Sequence, residues 1–399
     1  MFRKTIFWIH LSCGVLTGLV VLMMSVTGVI LTYERQMLAW QIREFHADPP
    51  AAAERLPIES LVGSAVRAEA GFQATSVQLS SDPRAPALLA AGRAGSRYLN
   101  TYTGAVLGEP PTGLDSFFNA VTGWHRWFNA PADARGPWRA ITGVSNVVFL
   151  FLIVSGMYLW LPRIFKWTMF RAHLLFSGQA LRGKARDYNW HHVFGIWTAI
   201  PLFVVVATAT VFSYPWASNA VYRAFGEEPP AGRGGGPGPT ALAPPGGAGR
   251  VGGPGAAPAA GSAGMSAPAA TTLSFDALFA RAATQVADWK TITLTLPQPG
   301  AATVSFAIDE GNGGQPQLRH TLVLDGATGA VSSWQPFASQ TPGRRARSWI
   351  RFLHTGEALG IAGQTIAGFV SLTSVIMVWT GLALAWRRLI SPLFRRRAA

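Results

Sequence analysis

A single cysteine, Cys13, occurs in the 399 residues. One thiol makes no intramolecular disulfide and cannot hold an Fe–S cluster. There is no C-x-x-C-H stretch, which excludes covalent haem attachment through that pattern. Charged residues are scarce, at 13% of the chain. No acidic residue lies inside the long apolar runs, since Glu34 and Glu357 stand at their edges. Transport coupled through buried carboxylates is therefore poorly supported. No flavin module and no nucleophile–base constellation is recognisable, which leaves no catalytic side chain to assign and argues against hydrolysis.

Apolar residues are abundant, at 49%. Four runs are long enough to cross a bilayer, which takes about 20 helical residues. They are expected at residues 1–33, 139–162, 189–216 and 362–386. The net charge of +14 is concentrated in three short segments. Arg3 and Lys4 precede the first run. Arg163, Lys166, Arg171, Arg182, Lys184 and Arg186 lie in the loop 163–188, and Arg387, Arg388, Arg395, Arg396 and Arg397 in the tail 387–399. Only Asp187 opposes them there. The positive-inside rule then places both termini and the middle loop in the cytoplasm. Basic residues so arranged set topology, and no nucleic-acid partner is expected.

Two long loops remain for the outer side. Residues 34–120 and 272–340 each read as a small α+β module. A helical period ("PIESLVGSAVRAEA", "SFDALFARAATQVA") precedes alternating strand-like runs in each. "NTYTGAV" and "DGATGAV" share a T-G-A-V hairpin signal. Residues 217–271 are rich in Gly, Pro and Ala without apolar periodicity, and read as a disordered linker. The segments 121–138 and 341–361 are expected at the interface, each carrying a histidine.

The halves repeat. Adding 181 to a position in the first span gives its counterpart in the third: His10/His191, Gly14/Gly195, Thr17/Thr198, Thr27/Thr208 and Tyr33/Tyr214. His125 and His354 stand ahead of the second and fourth spans. Two histidines are thus expected near each membrane face. A lone histidine there is ordinarily a helix–helix hydrogen bond, a headgroup contact or a proton relay. Two matched pairs point instead to axial ligation of haem iron by facing helices. Zinc prefers four close ligands, which these pairs do not supply.

Gly14 and Gly195 lie one turn beyond their histidines, where a side chain would meet a macrocycle; Thr17 and Thr198 continue that face. Gly28 and Ala209, eighteen residues on and about 27 Å along the helix, would flank a second haem. His10 and His191 are the expected ligands of the inner haem, and His125 and His354 of the outer one. His192 adjoins His191 and is a possible alternative. His46, His173 and His320 read as ordinary polar loop residues.

Taken together, H-x-x-x-G with "VTGVILTY", the "TGAV" hairpins, "SGMYLWLPR" and "LHTGEALGIAGQ" resemble the PepSY-associated transmembrane family. The third span departs from its pattern, with "ATATVF" replacing the T-G. The resemblance implies an α-helical integral membrane protein of the bacterial inner membrane. Its four-helix core, N-in and C-in, would come from internal duplication, with two PepSY-like periplasmic modules. Some family members are di-haem reductases of ferric siderophores. The resemblance therefore implies two non-covalent b-type haems, a cytoplasmic or quinol donor, and a ferric siderophore or other periplasmic acceptor. A non-catalytic binding or regulatory role in the envelope is the alternative.

Overall fold

A computed structural model describes residues 1–51, 53–92, 95–162, 166–177, 181–230 and 273–395. Arg163, the Gly/Pro-rich stretch 231–271 and the tail residues Arg396 and Arg397 lie outside the described residues. The chain divides into two compact units: residues 1–34, 117–236 and 346–399, and residues 35–116 and 237–345.

Four long helices build the first unit. They are α1 (Phe2–Leu31), α5 (Arg135–Trp160), α7 (Gly183–Ser213) and α11 (Gly360–Leu389). Each is long and apolar enough to cross a membrane. The shorter helices of the chain are α2 (Glu34–Gln41), α3 (Ile58–Ala68), α4 (Thr112–Trp127), α6 (Trp167–Leu174), α8 (Pro215–Ala224), α9 (Phe275–Gln285) and α10 (Pro342–Thr355).

α1 packs on α5 and α11, and α7 packs on the same two helices. α1 and α7 therefore occupy one diagonal of a four-helix ring. With no hydrophobic drive between helices in lipid, close approach and buried polar contacts must hold the ring. Both are present. A Cβ on Gly18 would stand 3.0 Å from Leu382 of α11. Ser25 and Ser374 share a hydrogen bond of 2.8 Å. Asn146 of α5 donates to Val206 O and Thr210 Oγ1 of α7, at 3.1 and 3.0 Å. Ile153, Leu202, Val206 and Val370 fill the middle.

The helices run past the apolar runs in two places. α7 starts at Gly183, inside the segment expected as a loop. Its polar first turns are tolerated because the buried Asp187 is paired with Arg186 at 2.8 Å and with Arg387 of α11. Residues 217–224, expected as linker, continue as α8. Pro215 at its first turn presets the helical φ, and no Gly interrupts the segment before Gly226.

The second unit holds one antiparallel sheet of eight strands, in the order β4-β3-β2-β1-β5-β6-β7-β8. The strands are β1 (Ser76–Ser80), β2 (Ala87–Ala90), β3 (Ser96–Leu99), β4 (Val106–Gly108), β5 (Thr291–Thr295), β6 (Thr303–Asp309), β7 (Arg319–Asp325) and β8 (Val331–Pro336). The two expected modules are therefore not separate bodies. β1 pairs with β5 from Ser76↔Thr295 to Ser80↔Thr291. One core, with Leu61, Leu79, Leu89, Leu278, Ile292 and Phe306, lies against α3 and α9.

The two helices cap each other. The Asp276 carboxylate accepts from Ile58 N at 3.0 Å, and the Glu59 carboxylate accepts from Phe275 N at 2.5 Å. Each acid thus meets the partially positive N-terminus of the other helix. The T-G hairpins also match. Asn100 Oδ1 accepts from Tyr102 and Thr103, and Asp325 Oδ1 from Ala327 and Thr328. Gly104 and Gly329 follow in the left-handed region, at φ +70° and +67°.

Candidate functional site

The four expected histidines all lie in the first unit, and all are half-buried. Each fixes its ring through Nδ1 on a different helix. His10 on α1 meets Ser155 Oγ of α5 at 2.8 Å. His191 on α7 meets Met377 O and Thr380 Oγ1 of α11 at 3.0 and 3.2 Å. His125 on α4 meets Thr27 Oγ1 of α1 at 2.9 Å. His354 on α10 meets Val205 O and Thr208 Oγ1 of α7 at 2.8 and 3.4 Å.

These contacts determine the tautomer. A carbonyl only accepts, so His191 and His354 must donate from Nδ1. The Ser155 hydroxyl proton is directed to Phe151 O at 2.7 Å, and that of Thr27 to Met23 O at 2.7 Å. Each hydroxyl therefore accepts from its histidine. All four rings carry hydrogen on Nδ1 and a lone pair on Nε2. No Nε2 of the four hydrogen-bonds another described residue, and none is sealed from a solvent-sized probe. A histidine held by Nδ1–H with Nε2 open is prepared to ligate a metal.

The histidines form two pairs. His10 and His191 stand on the diagonal helices at one end of the ring. Arg388 of α11 lies 4.7 Å from the Phe7 ring of α1, which fixes that end. His125 and His354 belong to the other end, their ring centres 6.3 Å apart. Two imidazoles on opposite sides of one metal, with bonds of about 2 Å, place their ring centres roughly 6 Å apart. Burial pushes the His125 imidazole down to about 4, aided by the neighbouring His354. His354 is lowered for the same first reason. Both shifts favour the neutral imidazole, which is the ligating form.

The small residues leave room. A Cβ on Gly14 would meet nothing within 4 Å, and one on Gly195 only Met377 Cε at 3.9 Å. Gly156 and Gly381 are tighter: a Cβ there would stand 3.4 Å from His10 Cε1 and 3.2 Å from His191 Cε1. A Cβ on Gly28 would stand 3.3 Å from Ser371 Oγ and 3.8 Å from His125 Cε1. Ala209 is half-buried beside Thr208. Thr17 and Thr198 turn to their own helices, donating to Cys13 O and Phe194 O at 2.9 and 2.7 Å. No group of three His, Cys, Asp or Glu able to hold a metal ion occurs among the described residues. A bis-imidazole slot fits the donor set better than a zinc cage.

Sequence reasoning missed Ser155, Thr380, Gly156 and Gly381. Their signal was the pair of small dipeptides at 155–156 and 380–381. It also misplaced two histidines. His320 is in β7, stacked on Trp334 with ring centres 5.3 Å apart and bonded to Glu310. His173 is on α6, in ring contact with His192 at 4.9 Å. His192 itself turns away from α11, donating to Tyr188 O at 2.9 Å. Only His191 of the two makes the α11 contacts.

The PepSY-associated TM region matches residues 7–388. The chain belongs to that family. With its four apolar helices it is a multi-pass membrane protein. No curated protein matches the chain.

Proposed function

We propose that the first unit is a transmembrane electron-transfer core with two bis-histidine sites, one near each membrane face, and that it reduces an external acceptor, ferric iron in a siderophore above all. The carrying observation is that four histidines, in two pairs, are all locked as Nδ1–H tautomers with Nε2 open. Bound there, two b-type haems would supply one-electron carriers at two depths of the bilayer.

The chain's own residues do the rest. His10 and His191 present their lone pairs at the inner face, and His125 and His354 at the outer. Ser155, Thr27 and the carbonyls of Met377 and Val205 orient the four rings and raise their basicity. Gly14 and Gly195 leave the adjoining face clear, and at the other level Gly28 spares Ser371 and His125 a side chain, with Ala209 as its counterpart.

The basic segments support an N-in, C-in topology in a bacterial inner membrane, with the sheet unit in the periplasm. The 181-residue offset, the repeated histidine–hydroxyl contacts and the matched T-G hairpins support an origin by duplication, with two PepSY-like modules merged in one sheet. A ferric chelate suits the acceptor role because hard-oxygen ligands hold Fe(II) far less tightly than Fe(III).

The test uses the full-length protein in proteoliposomes, reduced with dithionite, freed of excess reductant by gel filtration and mixed with a ferric hydroxamate chelate. Fe(II) trapped by ferrozine should appear with wild type and fall at least tenfold in His354→Ala. Equal Fe(II) yield from the variant would refute the role of the outer pair.

A further inference from the structure

A second feature lies beside His191. A cavity of about 840 Å³ opens between α6, the segment after it and the first turns of α7, lined by Arg171, His173, Phe176, Lys184, Tyr188 and Asn189 among others. It is a built feature. Asn189 donates to Leu175 O at 3.1 Å and accepts from Ser177 N at 3.2 Å. Trp197 donates to Leu174 O at 2.8 Å. These bonds tie residues 174–177 to α7.

Three rings lead inward from its wall. Tyr188 and His173 lie 4.0 and 4.9 Å, centre to centre, from His192, and His192 lies 6.3 Å from His191. His173 Nδ1 is 3.2 Å from Trp160 O, which can only accept. Nδ1 therefore carries the hydrogen, and Nε2 is a free acceptor at the cavity. Two exposed tryptophans adjoin the lining residues, Trp167 next to Thr168 and Trp197 bonded to Leu174 O next to Leu175, at 72% and 65% accessibility. Aromatic and cationic side chains together mark the headgroup layer. A donor reaching this cavity from within the membrane would need no water-borne carrier.

We propose that this cavity binds a lipophilic quinol and is the electron entry site of the protein, a reading that rests on the assignment of His191 as a redox-cofactor ligand. The quinol loses two O–H protons and two electrons and becomes a quinone. One proton passes to His173 Nε2, and the other leaves to water at the open mouth. The electrons leave one at a time across the His192 ring towards His191, and two Fe(III) ions at the outer acceptor become two Fe(II).

The experiment uses the purified full chain with decylubiquinol as donor and decylubiquinone as a non-reacting ligand. Ala185→Trp fills the cavity from an exposed α7 position. His173→Gln removes the acceptor. Decylubiquinone should raise the melting temperature of oxidised wild type and leave that of Ala185→Trp unchanged. Decylubiquinol should reduce wild type at least tenfold faster than either variant, while dithionite reduces all three alike. Equal quinol rates in wild type and Ala185→Trp would overturn the site. So would reduction by reduced flavin mononucleotide alone, with decylubiquinol inert. A haem-free protein that still shows the Ala185→Trp-sensitive quinone shift would uphold the site and remove the electron-transfer function instead.

Discussion

Removing one hydroxyl should affect the four histidines unequally. His10 rests on a hydroxyl, Ser155 Oγ at 2.8 Å, while His125 has Thr27 Oγ1 at 2.9 Å together with the Met24 backbone. Their counterparts His191 and His354 also have a backbone carbonyl, Met377 O at 3.0 Å and Val205 O at 2.8 Å. No side-chain substitution deletes a carbonyl. Ser155→Ala therefore frees a ligand ring, whereas Thr27→Val, Thr380→Val and Thr208→Val leave theirs held. Loss of such an outer-shell bond typically lowers metal affinity about 10- to 100-fold, or roughly 1.4 to 2.7 kcal/mol. For Thr380→Val and Thr208→Val, where the carbonyl bond persists, the cost should stay below about 0.5 kcal/mol. Haem loss to excess apomyoglobin, followed by absorbance, reads the difference directly. Ser155→Ala should release one haem equivalent about tenfold faster than wild type. Equal release rates for Ser155→Ala and Thr380→Val would refute the tautomer argument, because the two hydroxyls would then be interchangeable.

Gly381→Ala places a Cβ 3.2 Å from His191 Cε1 and should broaden or shift the spectrum of the inner site, with the outer unchanged. Gly28→Leu crowds Ser371 and His125 and should disturb the outer site more than the inner, although His10 shares its helix. Circular dichroism on both variants separates these effects from unfolding. Folding holds His125 near 4, below its ordinary value of 6.5. The unfolded chain thus binds the extra proton first, and stability present above pH 6.5 is lost as pH falls towards 4. That loss is about 3 kcal/mol at most and should appear as acid release of the outer haem, followed by absorbance as pH falls from 6.5 to 4. Burial and the adjacent Glu59 raise Asp276, so its native form binds a proton more readily than the unfolded chain does. The melting temperature of the sheet unit should fall as pH rises through that titration, and Asp276→Asn should flatten the slope.

Much of this architecture was legible in the sequence because its signals are local. Apolar length marks the four spanning helices, and period-two alternation marks strands such as Thr291–Thr295 and Thr303–Asp309. The 181-residue offset singles out His10 and His191 without any structure. Contacts across long separations were not legible. The β1–β5 pairing joins strands about two hundred residues apart, and nothing in either strand specifies that partner. The same holds for Ser155 and Thr380, which meet their histidines only once antiparallel helices fix the register. Thr27 and Thr208 were visible as a repeated pair, yet their contacts to α4 and α10 depend on how those short helices return to the ring. α8 was overlooked because a Gly/Pro-rich composition begins only a few residues beyond it.

The most direct test of the central claim is the haem content of the purified full-length chain, measured by pyridine haemochrome against protein from amino-acid analysis. Two b-type haems per chain, falling to one in His10→Ala or His354→Ala and to none when both are replaced, is the predicted result. A colourless protein from haem-replete cells, or haem content unchanged by either substitution, would contradict it.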